Sequence, residues 1–255
     1  MKIRPYGKCF PNALLTSHFS LNILRAIVLT KTRYADDSFI VNLYTEDNGP
    51  VAVSVKTSRR GKVRLCHLEP LTLLDVALFG KASSQIKTIS DCQLSCSLSS
   101  GTDPSKWLIA QFVAEVLGRL SSNLPVDGRL FSFLYTSVEK LASLNRGAAN
   151  FHLFFLIKLT YFLGISPNID DLDIATHFDL TEGRFVDVEP LHGFCLTHSD
   201  SVDFANMLRT SYDSMYLWHM TRDDRNRTLD HIIDYYRLQS FDLSRLQSLD
   251  VLRAF

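Results

Sequence analysis

The densest chemistry in this sequence is a run of cations. Lys56, Arg59, Arg60, Lys62 and Arg64 place five positive charges within nine residues. Such a run is either a solvated loop or a track for phosphates. In the second case the ammonium and guanidinium groups displace counterions condensed on a polyanion, so binding is strong at low salt and indifferent to base sequence. Lys31 and Arg33 extend the same basic surface on that reading. The aromatic residues nearby are Tyr34, Phe39 and Tyr44, and each fits a core position as well as a platform for a base.

Other sets of residues carry weaker signals. Cys92 and Cys96, with His192 and Cys195, make up four potential zinc ligands. The first pair falls on an expected strand, where a four-residue offset keeps one face but offers no loop to wrap an ion, so structural cysteines are the simpler assignment. His219 and His231 stand among Arg222, Asp223, Asp224, Arg225 and Arg227, a mixture suited to acid–base work but also to ordinary ion pairing at helix ends. Asp170, Asp171 and Asp173 lack the oxygen-ligand spacing of a calcium loop. A phosphate-cradling glycine loop, a glycine-flanked nucleophilic serine and a helical His-Glu-x-x-His are all missing, so no enzyme activity, catalytic residue, metal or cofactor is expected.

These residues need a scaffold, and 255 residues with 46% hydrophobic and 21% charged side chains suffice for one or two domains with a sizeable core. The 27 basic and 27 acidic residues cancel, but not uniformly. Residues 1–80 hold eleven Lys and Arg against six Asp and Glu, whereas residues 81–255 hold sixteen against twenty-one. A basic N-terminal part on an acidic protein points to a polyanionic partner for that part. Five cysteines at irregular spacing fit reduced thiols in a cytosol better than a disulfide framework. No apolar run approaches the ~20 residues that span a bilayer, so no membrane partner is expected. Lys2, Arg4 and Lys8 precede Ala13, Leu14 and Leu15, but His18, Ser20 and Asn22 interrupt the apolar part. Residues 1–23 are therefore expected to be a loosely ordered extension rather than an export signal.

From Leu24 to Leu98 the pattern is that of strands: Leu24–Leu29, Ser38–Tyr44, Val51–Val55 after the Glu46–Gly49 turn cluster, Val63–Leu78 interrupted at Pro70, and Gln85–Leu98. Five short strands without an intervening helix predict a small barrel, since closure removes exposed edges. After the Ser99–Pro104 loop the period changes, and Asp103 and Pro104 supply a helix cap and a first-turn proline. Helices are then predicted from Pro104, over Pro125–Leu144, Ala148–Leu163, Val202–Met220 and Arg225–Leu238, and from Leu249 to the end. Phe151, Leu153, Phe154, Phe155 and Leu156 make the third apolar all round, as at the centre of a bundle. Residues 168–203 hold nine Asp and Glu against Arg184 alone, with a short hairpin predicted around Phe178–Val188. The fold class is thus α+β: a small five-stranded barrel, closed or half-closed, over 24–100, then an all-helical bundle over 101–255 carrying an acidic insertion at about 168–203.

The order of these pieces resembles the bacterial recombination mediator family RecO, in the form found in Bacteroides-like bacteria, over residues 24–255. The segment ANFHLFFLIKLTYFLGISPN, closing on Leu163-Gly164-Ile165 with Pro167, and the terminal Tyr235-Tyr236-Arg237-Leu238 followed by Ser248–Leu252 carry the resemblance. It implies an N-terminal five-stranded OB-fold joined to a helical domain, and a part in DNA repair and homologous recombination: binding of single- and double-stranded DNA without sequence preference, strand annealing and, with RecR, help for RecA in replacing single-strand-binding protein (SSB). It also implies contact with the C-terminal tail of SSB, and a cytoplasmic, nucleoid-associated location. Lys56, Arg59, Arg60, Lys62 and Arg64 match the family's basic segment after the third barrel strand and take the DNA-contact role, as do Lys31 and Arg33. The four-cysteine zinc module of many members is not carried over, because residues 166–196 contain only Cys195. Phe178, Leu180, Phe185 and Val188 are expected to pack that stretch instead. Arg222, Arg225 or Arg227 is a candidate cation for the tail's terminal carboxylate. The alternative to DNA binding is a scaffold whose basic loop meets an acidic peptide. A hydrolase using His219 or His231 is the third reading.

Overall fold

Strand alternation in the first third of the chain closes a barrel. The computed structural model describes residues 23–58, 61–80, 84–98, 103–170, 176–243 and 245–254. Strands β1 (Ile23–Ala35), β2 (Ser38–Thr45), β3 (Gly49–Lys56), β4 (Leu73–Phe79) and β5 (Ile86–Cys96) follow one another in sequence. Their order in the closed barrel is β1-β2-β3-β5-β4, with β3 and β5 parallel and β4 returning to β1. This is the five-stranded OB-fold. Gly49 turns β2 into β3 with φ of +61°, and a Cβ there would lie 2.8 Å from Val126 Cγ2, so glycine serves both the turn and the approach of the helical half.

β1 serves two cores through its alternation. Ala26 and Val28 join Val41, Leu43, Val53, Val55, Leu74 and Val76 inside the barrel. Ile27 and Leu29, with Tyr44, Leu71 and Leu73, face the helices and belong to their core. Tyr44 stacks on Phe131 at 6.3 Å between centroids and donates its hydroxyl to the Pro125 carbonyl at 2.5 Å. At the edge of this junction the Arg25 guanidinium binds Glu46 at 2.5 and 2.8 Å and lies 5.3 and 5.1 Å from the Phe131 and Tyr135 ring centroids.

The fourth strand is shorter than its hydrophobic run. Val63 and Leu68 are buried in the barrel, but the chain between them forms a single 3-10 turn, Leu65–Leu68. Leu71 then takes φ of +55°, donating its N–H to the Val28 carbonyl while its side chain enters the helical core. Pro70 and this left-handed leucine hold the chain out of the ladder until Leu73.

The helical half begins at α1 (Pro104–Arg119), where the Asp103 side chain accepts from the Ser105 N–H. In α2 (Gly128–Ser143) the Asp127 carboxylate caps in the same way, so the helix starts three residues after Pro125. α3 (Phe151–Phe162) has no polar stripe, and Phe151, Leu153, Phe154, Phe155 and Leu156 are all buried. A hairpin of β6 (His177–Asp179) and β7 (Arg184–Val186) follows, then α4 (His198–Arg209), α5 (Arg222–Leu238) and α6 (Ser248–Ala254). One helix over Val202–Met220 is not formed. Thr197 caps the chain earlier, Thr210 is extended, and Ser211 caps a separate 3-10 turn, Tyr212–Leu217. α6 begins where Glu115 of α1 accepts from the Gln247 and Ser248 N–H groups and from the Ser248 hydroxyl.

In the hairpin, Phe178 is enclosed by the rings of Phe204, Phe185 and Tyr235 at 4.7, 4.9 and 5.8 Å. Leu180 and Phe185 are buried as expected, but Val188, two residues past the end of β7, is 78% exposed.

Candidate nucleic-acid interface

The basic residues of the barrel are arranged around the β3–β4 connection. Ser58 N–H donates to the Val63 carbonyl at 3.2 Å and Gly61 N–H to the Ser58 carbonyl at 3.4 Å, so the chain closes on itself there into a tight loop. Buried Val63 anchors one side of its base. Arg59 and Arg60 lie outside the described residues. Lys56 stands before the loop, opposite Ser38 in the β2–β3 register, and Arg64 just after it; both are exposed. Neither has a carboxylate partner among the described residues. The Arg64 N–H donates to His67 Nδ1, and partial burial together with the Arg64 charge holds that imidazole below its ordinary value.

The remaining predicted contacts are engaged by acids. Lys62 reaches the Ser90 carbonyl at 3.1 Å and Asp91 at 3.6 Å on β5, although it stays 67% exposed. Lys31 binds Glu69, on the far part of the same connection, at 2.8 Å, with both side chains about three-quarters covered. Arg33 folds onto the β1–β2 turn, donating to the Ala35 and Asp36 carbonyls and lying 3.5 Å from Asp36 Oδ1. Register explains the separation. Lys31 is opposite Val41 and Arg33 opposite Phe39, both inward positions of β2, whereas Lys56 is opposite outward Ser38. The loop thus gathers Lys56, Lys62 and Arg64, while Lys31 and Arg33 flank it from another face.

Tyr34 sits on the outward side. Its hydroxyl is 3.1 Å from Ser54 Oγ on β3, and the ring is 59% exposed, whereas Phe39 and Tyr44 are buried. The sequence left all three open, and only the bulge between Arg33 and Ala35, in which Tyr34 is the unpaired extra residue, separates it from the others.

The alternative chemistries are dispersed. Cys92 packs with the barrel core and Cys96 against the helical one, because a register shift between Leu73 and Leu74 turns the strand over between them, so the two do not share a face. His192 Nε2 lies 3.1 Å from Asp179 Oδ2, and the other Asp179 oxygen accepts from the Thr181 and Glu182 N–H groups. Burial, then the charge of Asp179, raises the Cys195 thiol to about 11. Among the described residues no group of three or more His, Cys, Asp or Glu is placed to hold a metal ion. Arg227 bridges Asp200 and Asp224 at 2.9 Å each, and Arg225 donates to the Met220 carbonyl, so of the three arginines Arg222 alone is drawn into neither contact. His219 is exposed, and His231 is lowered by burial against the opposing pull of Asp200. No helix among the described residues is long and apolar enough to cross a membrane.

The sequence matches known proteins along most of its length. A family model described as "Recombination protein O N terminal" matches residues 21–97, and one described as "Recombination protein O C terminal" matches residues 101–248. The chain is 36% identical over 230 residues to a DNA repair protein RecO of Phocaeicola vulgatus, covering 89% of this chain and 95% of that one. It is 35% identical over 231 residues to the protein of that name from Bacteroides fragilis, with 89% and 96% covered. With the one from Porphyromonas gingivalis it shares 32% over 239 residues, with 90% and 97% covered.

Proposed function

Because this chain belongs to the RecO family of DNA repair and recombination proteins, we propose that it is a non-enzymatic recombination mediator whose barrel holds DNA by its phosphates while its helical half engages protein partners. The reading is supported above all by Lys56 and Arg64, exposed on either side of a loop closed at its base and without a carboxylate partner among the described residues. Cations so placed neutralise phosphates on two strands at once, which lowers the repulsion opposing their pairing. Annealing of complementary strands follows from that neutralisation. Family membership supports the further roles: work with RecR, contact with the C-terminal tail of SSB, and help for RecA on SSB-coated DNA, in the cytoplasm at the nucleoid.

The paired cations set the expected strength. Lys31, Arg33 and Lys62 must leave an acid to reach a phosphate, so among the described cations Lys56 and Arg64 supply the main contacts, and Arg59 and Arg60 join them as members of the family's basic segment. Four neutralised phosphates give a slope of roughly −3 for log affinity against log salt on single strands. Fluorescence anisotropy with a labelled oligonucleotide measures it, and a flat response overturns the reading. An acidic tail peptide should leave the barrel-bound strand in place; displacement of the strand would favour a peptide-binding scaffold.

A further inference from the structure

We propose that the outward face of β1–β3 is a platform for an unpaired nucleobase, with Tyr34 as the ring on which the base stacks and Lys56 as the cation for the neighbouring phosphate. This deepens the DNA-binding reading and rests on it. Of Tyr34, Phe39 and Tyr44, the last two are spent in the two cores. Tyr34 keeps more than half of its surface in solvent and is nevertheless held, because its hydroxyl reaches Ser54 Oγ and spans β2 to do so. A ring fixed before binding loses little freedom when a base lies on it.

The surroundings suit a base and its backbone. By register, the outward row beside Tyr34 is Thr32, Ile40, Ser54 and Thr88, and the next row is Thr30, Asn42, Ala52 and Ile86. Neither row contains a carboxylate. Lys56 ends the outward side of β3, close enough that its charge, after the hydrogen bonds to Ser54 and Ser38, helps lower the Tyr34 phenol below its ordinary value. Asp36 and Asp37 stand at the edge in the β1–β2 turn, and Asp36 is met by Arg33. At the opposite edge Gly118 of α1 closes over Thr30, with a Cβ there falling 2.7 Å from Thr30 Cγ2, so the open part of the platform is the Tyr34 end. Every base has a π-face, so such a platform is tolerant of sequence, but a duplex keeps those faces stacked internally. Tyr34 therefore distinguishes single strands from duplex, which the phosphate contacts alone cannot do.

The test compares three ligands of equal length: oligo(dT), a strand with abasic sites in place of its bases, and a duplex. Tyr34→Ala should weaken oligo(dT) binding about tenfold while leaving the abasic strand and the duplex within about twofold, and Tyr34→Phe should retain most of the affinity. Equal loss on the abasic strand, or no loss on oligo(dT), overturns the proposal. A second measurement uses the unaltered protein, which should quench 2-aminopurine placed within the oligo(dT) strand; unchanged fluorescence on saturation also overturns it. Failure of the underlying reading looks different, since the unaltered protein would then bind neither abasic strand nor duplex with a salt dependence.

Discussion

Helix α3 and the rim of the barrel treat polar groups in opposite ways. In α3 even the histidine is buried: His152 is 3% exposed, edge-on to the Phe112 ring, and burial with Arg225 nearby pushes its imidazole down to about 3. At the rim Arg33, Tyr34, Lys56, Lys62 and Arg64 remain exposed, on or beside strands that bury Val41, Val53 and Val55 in the barrel. The difference puts stability and, on the proposed reading, binding in separate places, so that each should be alterable with little change in the other.

The largest expected effect is on the buried side. Phe155→Ala should cost about 3–5 kcal/mol in urea unfolding, and a loss below about 1 kcal/mol would show that α3 is not the centre of the core. Next comes the acid sensitivity of His152. Its folded pKa lies below its unfolded one, so in the window from about 6.5 down to about 3 the unfolded chain binds a proton that the folded chain does not, and stability falls as the pH falls. Between pH 7 and pH 5 this amounts to about 2 kcal/mol, which His152→Leu should remove; an unchanged pH dependence would place the acid-labile group elsewhere. At the rim, Arg59, Arg60 and Lys62 changed together to Ala should bring the salt slope about 1.4 closer to zero and weaken all sequences alike, with the thermal midpoint unchanged. Base-selective loss would indicate direct readout instead. The smallest effect tests the ion pairs: Glu69→Gln frees Lys31 and should steepen the slope by about 0.7 at most, whereas no change would mean that Lys31 reaches no phosphate.

Much of this division was legible before folding. The Glu46–Gly49 turn, the Asp103-Pro104 start, the all-round apolar α3 and the hairpin at Glu182-Gly183 are local signals, and each produces the element expected of it. The misplaced expectations share a cause. Val63–Leu78 carries strand-like residues, but Leu71 is drawn into the helical core at positive φ, and Val202–Met220 breaks where Thr210 and Ser211 favour an extended link and a new cap. Cys92 and Cys96 keep strand spacing but lose their common face to a bulge. In the candidate site, clustering in sequence marked Lys56–Arg64, yet nothing in the spacing shows that Lys62 meets Asp91 or that Lys31 meets Glu69, thirty-eight residues away.

Sequence by itself determined which segments alternate with period two, which are apolar all round and where the positive charge is concentrated, because turns, caps and periodicity act between residues a few positions apart. Tertiary structure decided which cations are met by carboxylates, which of three aromatics stays in solvent and which face each cysteine takes. Those outcomes depend on strand register and on the packing of the helices against β1, which bring together groups that the chain itself keeps tens of residues apart.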